Sequence, residues 1–119
     1  MQLSKYDLEE RTAKFGENVI DLCKLIKPNL IDAPIITQLV RSATSIGANY
    51  TEANNASSRK DFANKIFISK KEAQETKYWL RMLSKAINNN KISSTARVLW
   101  KECQEQTMIF QKITNSLRK

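Results

Sequence analysis

Glu72 and Glu75, three residues apart in a stretch with helical spacing, are the residues of this chain best placed for acid–base chemistry. Two carboxylates within one turn can force their pKa values apart and divide the roles of general acid and base. The rest of an enzyme's equipment is scarce. The chain has no histidine, which removes the commonest general base and the commonest zinc ligand. Gly16 and Gly47 stand alone, so there is no glycine-rich phosphate loop and no Gly-x-Ser-x-Gly elbow. Cys23 and Cys103 lie far apart in no paired motif, the pattern of buried thiols in a reducing cytoplasm rather than of a zinc site or redox pair. Nothing supplies a nucleophile or a metal set beside the two glutamates. The residues therefore point to a non-enzymatic protein with no cofactor and no metal, and a carboxylate-pair enzyme is the alternative.

The same glutamates have a structural reading. The stretch "RSATSIGANYTEA", residues 41–53, fills the middle of a helical segment with small residues. Ser69, Ala73 and Thr76 do the same in the segment that carries the glutamates. Small residues on two facing helices let the backbones approach and recover dispersion contacts. The expectation is a narrow waist between the second and third helices, bordered by a polar network of Arg41, Asn49, Glu52, Glu72 and Glu75, because a buried charge must be paired.

The 119 residues carry a net charge of +8, unevenly distributed. Residues 1–57 hold six basic and seven acidic side chains, whereas residues 58–119 hold fourteen basic and five acidic. Such asymmetry is the electrostatic signature of a surface that meets a polyanion, most often nucleic acid. Arg59, Lys70, Lys77, Arg81 and Lys85 fall near one helical face, with Lys60 and Lys71 flanking it, and Lys101, Lys112, Arg118 and Lys119 add to it from the last segment. Taken singly, each lysine reads as a solvated helix face; the argument rests on the set.

These residues must be positioned by helices. Two glycines and two prolines are too few for the turns of a β-rich domain. Four segments carry apolar residues in alternating steps of three and four. The first runs Leu8, Thr12, Phe15, Val19, Leu22, Ile26, with Ser4 and Asp7 resembling a capping box and Pro28 ending it. The second starts near Asp32 as N-cap and runs Ile36, Leu39, Ala43, Ile46, Tyr50, Ala53. The third, about residues 59–88, is capped by Ser57 or Ser58 and runs Phe62, Ile66, Ser69, Ala73, Thr76, Leu80, Leu83, Ile87. The fourth, about 93–117, runs Ala96, Leu99, Cys103, Gln106, Phe110, Ile113, Leu117. Four long helices with short connections predict a single all-α domain over residues 1–119, an up-down-up-down antiparallel four-helix bundle. Off-seam Tyr78, Trp79, Met82, Trp100 and Met108 exceed what one core stripe needs and point to a homo-oligomer or another protein interface. No apolar run approaches the ~18 residues of a membrane span, and the N-terminal stretch has no signal-peptide core. The expected location is the cytoplasm, with no membrane partner.

"QLVRSATSIGANYTEANNASSRKDF" followed by "ISKKEAQETKYWLRML" resembles the bacterial four-helix-bundle family of 23S rRNA intervening-sequence proteins. The residues that carry the likeness are Arg41, Ser42, Ser45, Asn49, Glu52, Phe62, Glu75 and Leu80, which look like packing and polar-network positions. The resemblance implies small bundles encoded within, or related to those encoded within, insertions in ribosomal RNA genes. Relatives include the accessory variability determinant of diversity-generating retroelements, which forms five-fold basic barrels and works with a reverse transcriptase and nucleic acid. A homo-pentamer is implied on that ground alone. The resulting expectation is an oligomeric bundle that binds RNA or DNA electrostatically. The alternative is a protein-interaction module or accessory factor for a partner such as a reverse transcriptase.

Overall fold

The computed structural model describes residues 5–118 and consists of four helices: α1 (Lys5–Lys24), α2 (Asp32–Asn54), α3 (Arg59–Ala86) and α4 (Asn90–Leu117). No strand occurs among the described residues. Each helix packs against its two sequence or ring neighbours, α1 on α2 and α4, α3 on α2 and α4, with no close backbone approach across either diagonal. This is the expected antiparallel bundle. It measures 45 × 29 × 20 Å, and its long axis is set by the 28-residue helices α3 and α4, each about 42 Å at 1.5 Å per residue.

Local chemistry fixes the helix ends. Ser58 is extended, and its hydroxyl accepts from the Asp61 amide at 3.0 Å, one of the two caps expected for α3. Asp32 is not the cap of α2. Oδ1 of Asn29 accepts from the Ile31 and Asp32 amides at 2.9 and 2.8 Å, and the Asn29 carbonyl accepts from Ala33. Asp32 is instead buried in the first turn. Asn precedes Asp by three residues, and both are good caps; the earlier one takes the role because its side chain reaches the free Ile31 and Asp32 amides, while Asp32 already lies within the first turn. The third helix ends at Ala86, with Ile87 extended, just before "NNNKISS" at residues 88–94. Asn89 then caps α4 by accepting from the Ile92 amide at 3.0 Å, so α4 starts at Asn90 and not near 93. Residues 89–92, which fall between the expected third and fourth helices, are thus the cap and first turn of α4. The Ser4 cap and Lys119 lie outside the described residues.

The three-four rhythm places the core. Phe15, Val19, Leu22, Leu39, Ile46, Ile66, Leu80, Leu83 and Phe110 are fully enclosed. Tyr50 of α2 meets Phe110 of α4 across the bundle axis, edge to face at 5.8 Å between centroids. Polar members of the stripes are buried as their register demands: Thr12, Ser69, Thr76 and Gln106. At the end of α4 the seam drifts, and Thr114 is buried where Ile113 is only partly so. That drift follows from a 3.6-residue helix carrying a 3.5-residue pattern.

The small-residue stretch makes two close approaches rather than one. Between α2 and α3, Thr76 donates to Ser42 Oγ at 2.9 Å and Ser69 donates to the Ile46 carbonyl at 3.0 Å, beside the buried Ala43 and Ala73. Gly47, however, faces α1. A Cβ there would stand 3.0 Å from Oγ1 of Thr12, while Gly16 of α1 lies against the backbone of Ala43 and Thr44. Neither glycine has positive φ, so each serves space and not conformation.

Candidate nucleic-acid interface

The cations of α3 recur at intervals that keep them to one side. Arg59, Lys70, Lys77, Arg81 and Lys85 are separated by 11, 7, 4 and 4 residues, spacings that return to one side of a 3.6-residue helix. That side borders α4, because Lys77 Nζ donates to Oε1 of Gln104 and lies 5.4 Å from the Trp100 ring centroid. Lys60 and Lys71 lie outward of it and are exposed. The set spans 26 residues, about 39 Å of helix. It is a stripe and not a pocket.

On α4, Lys101 and Lys112 are eleven residues apart and both exposed. Lys112 borders a shallow hollow with Glu105, Met108 and Ile109, away from α3. Arg118 returns to α3, with its guanidinium 5.7 Å from the Phe67 ring centroid. Phe67 itself lines a hollow with Ile68, Lys70, Lys71 and Gln74. Among the described residues, ion pairs engage only Arg11, Arg41 and Lys65. Arg59, Lys60, Lys70, Lys71, Arg81, Lys85, Lys101 and Lys112 therefore face solvent without a carboxylate partner. Lys77 is held by Gln104 and Trp100.

The polar-network residues divide. Arg41 joins Glu72 at 3.0 Å and Glu75 at 2.7 Å across the α2–α3 seam, and Trp79 Nε1 donates to Glu75 at 3.1 Å. Hydrogen bonding from Arg41, then from Trp79, holds the Glu75 carboxyl below its usual range. A general acid needs the opposite shift. Glu52 pairs separately with Lys65 at 2.9 Å. Asn49 donates to the Ser45 carbonyl of its own helix and joins neither pair.

A second network is absent from the sequence expectation. Arg11 of α1 grips Glu102 of α4 with Nε and a terminal nitrogen, at 2.6 and 2.8 Å, and reaches Glu105 at 3.2 Å. The buried Gln106 amide donates to Glu102 at 2.8 Å, while its own Oε1 has no partner. The Arg11–Glu102 pair lines a groove of about 660 Å³ between α1 and α4. Also unforeseen is Arg97, which shares a hollow with Arg81 and Trp100 on the α3–α4 seam. Arg97 and Lys101 lie four apart on α4, and that spacing is the one signal that could have found it.

Charge is divided across the bundle. Glu10, Glu17 and Asp21 are exposed on α1 beside exposed Lys14 and Lys24, so α1 is close to neutral and lies diagonally opposite the strongly basic α3. No group of three or more potential metal ligands occurs among the described residues, and no described helix is long and apolar enough to cross a membrane.

A family model for the 23S rRNA-intervening sequence protein matches residues 4–112. A crystal structure of a protein of unknown function from the S23 ribosomal protein family of Bacteroides thetaiotaomicron is similar to this chain, with a TM-score of 0.77 and 31% identity over 89% of this chain and 96% of that one. No curated protein matches. The four helices, the extent of the family match and the likeness to that structure place the chain in the 23S rRNA-intervening sequence protein family.

Proposed function

We propose that this chain is a self-associating helical bundle that holds RNA or DNA through phosphate contacts from α3 and α4 and carries out no chemistry of its own. The observation that carries this reading is the row of cations without carboxylate partners along those two helices. Flexible, unpaired lysines and arginines on a long convex helix suit a backbone of regularly spaced phosphates and read no base edge. Exposed Glu10, Glu17 and Asp21 on α1 stand on the side opposite the basic α3 and support side-by-side contact between copies, which a closed ring would satisfy. The resemblance to five-fold relatives makes a pentamer the assembly to test. The net charge of +8 leaves an excess for a polyanion after such contacts form.

The test is a fluorescence-anisotropy titration of labelled RNA and DNA across salt concentrations, with light scattering on the same samples. The expected result is a multimer whose log affinity falls with log salt by roughly 0.7 to 0.9 per phosphate neutralised. A flat salt response overturns the nucleic-acid reading, and a monomer overturns the ring.

One observation favours a second reading, a protein-interaction module. Leu25, Leu30 and Ile31 are 64%, 93% and 71% exposed around the α1–α2 connection. Three large apolar side chains at one tip are more than isolated surface residues.

A further inference from the structure

We infer that the hollow between Arg81, Arg97 and Trp100 is a seat for one unpaired base and its phosphate, so that the partner of the basic face is single-stranded nucleic acid. The inference rests on the proposed nucleic-acid reading and names its ligand. The hollow, about 300 Å³, lies on the α3–α4 seam and is lined by Leu80, Arg81, Ser84, Ala96, Arg97 and Trp100. Leu80 and Ala96 are buried and form an apolar floor. Arg81 and Arg97 stand exposed on its two sides, one from each helix. No carboxylate lines it, and among the described residues neither arginine is ion-paired. Here the basic stripe coincides with an aromatic ring and a concavity.

Trp100 is 38% exposed. Lys77, anchored by Gln104, lies against it and restricts its rotation. A ring held in place loses little entropy when a base stacks on it. Base stacking on an aromatic side chain is tolerant of sequence because every base has a π face. In a duplex those faces are already stacked and cannot reach a ring in a hollow. The two guanidiniums match the bidentate geometry of a phosphate oxygen pair, and Ser84 adds a hydroxyl. By contrast, the larger α1–α4 groove sets Asp7, Glu10 and Glu102 against Arg11 and Lys14, its Arg11 is already bound to Glu102, and it offers no aromatic ring beside two unpaired cations.

The experiment uses Trp79→Phe protein, in which Trp100 is the sole tryptophan. It is titrated at low salt with a 15-mer oligouridine, a blunt RNA duplex of equal length and uridine monophosphate. The single strand should quench Trp100 and bind more tightly than the duplex. Trp100→Leu in the otherwise native chain should weaken the single strand by about fivefold or more and leave the duplex unchanged, with Trp100→Phe restoring most of the loss. Arg97→Gln, an exposed change that keeps the core intact, should weaken the single strand with Trp100 still in place. Equal binding of strand and duplex without quenching overturns the inference and leaves the electrostatic reading standing. Uridine monophosphate binding as tightly as the oligonucleotide overturns the strand and assigns the seat to a free nucleotide. No binding of any probe overturns the inference together with the function it rests on.

Discussion

Gly47 of α2 faces Thr12 of α1 with no room for a side chain between them: a Cβ on Gly47 would meet Oγ1 of Thr12 at 3.0 Å and its Cβ at 3.3 Å. Thr12 cannot easily yield, because it is buried and its hydroxyl bonds the Leu8 and Glu9 carbonyls at 2.9 and 3.0 Å. Gly16 is different. A Cβ there finds its nearest neighbours at 3.7 Å, an ordinary contact. Replacing glycine by alanine inside a helix gains about 0.8 to 1 kcal/mol of propensity. Gly16→Ala should therefore raise stability by most of that amount. Gly47→Ala should lose it, since overpacking costs about 1 to 3 kcal/mol, and Thr12→Ala in the same chain should recover part of the loss. Urea unfolding of the four proteins checks this. A Gly47→Ala protein as stable as Gly16→Ala would mean that the two helices are free to part.

The carboxylates at the two seams predict an acid limb. Arg41, then Trp79, lower Glu75. For Glu102, burial pushes the carboxyl up, but the hydrogen bonds from Arg11 and Gln106 outweigh it and the net shift is down. A lowered folded pKa means that the unfolded chain binds the proton more readily. The stabilisation is complete above the unfolded carboxylate pKa of about 4.3 and is lost as pH falls through the lowered folded values. Arg11 holds Glu102 through two parallel contacts at the less exposed of the two seams. Arg11→Gln should therefore cost about 1 kcal/mol at neutral pH and flatten the acid limb. Arg41→Gln, at a more exposed guanidinium, should cost less. Thermal unfolding between pH 2 and 7 reads both, and an unchanged acid limb in Arg11→Gln would remove Glu102 from the account.

The thiols give the opposite sign. Burial pushes Cys103 up to about 12 and Cys23 up to about 11. Cys103 is fully enclosed and donates to the Ala73 carbonyl at 3.1 Å. Their contribution to stability is complete below the unfolded thiol pKa of about 8.5 and declines as pH rises toward the folded values, because the unfolded chain then releases protons that the folded chain keeps. Neither thiol should react with an aromatic disulfide reagent at pH 8 until the bundle opens, and both should react in denaturant. Rapid labelling of Cys103 in the native protein would show that α3 and α4 separate locally.

The core was legible because its rhythm, not its hydrophobicity, was followed. Thr12, Ser69, Thr76 and Gln106 are polar, yet each sits where the three-four spacing put it and each is buried. The Arg41–Glu75 pairing was legible for a related reason: small residues on two consecutive helices point to one seam. What stayed hidden depends on register between helices, which periodicity does not contain. Arg11 and Glu102 are 91 residues apart, and nothing along the chain says that they face each other. Arg97 gains its meaning only when α4 is laid antiparallel on α3, so that it stands opposite Arg81. Nothing in the sequence turns Gly47 toward α1 and not α3, because a helix's small face does not name its neighbour. Asn29 and Asp32 have nearly equal capping preference, so the sequence does not choose between them.

The basic stripe makes a quantitative prediction about salt. If the contacts of α3 and α4 are to phosphates, each cation removed should cut the slope of log affinity against log salt by about 0.7 to 0.9. Lys70 and Lys71 are the residues to change first. They flank the Phe67 hollow, make no ion pair among the described residues and lie outside the core. Lys70→Gln with Lys71→Gln should lower the slope by roughly 1.5 without changing the unfolding midpoint. Lys65→Gln is the control. It removes one charge from the same helix, half of what the double change removes, and breaks the Glu52 pair on the α2 side. Its slope should stay within about 0.3 of the unaltered protein, since an exposed pair of this kind contributes little and touches no phosphate. A fall of about 0.7 to 0.9 in Lys65→Gln, half that of the double change, would mean that only total charge matters and that the stripe has no face. An effect of the Lys70 and Lys71 changes alone would locate the polyanion on the side of the bundle where α3 meets α4.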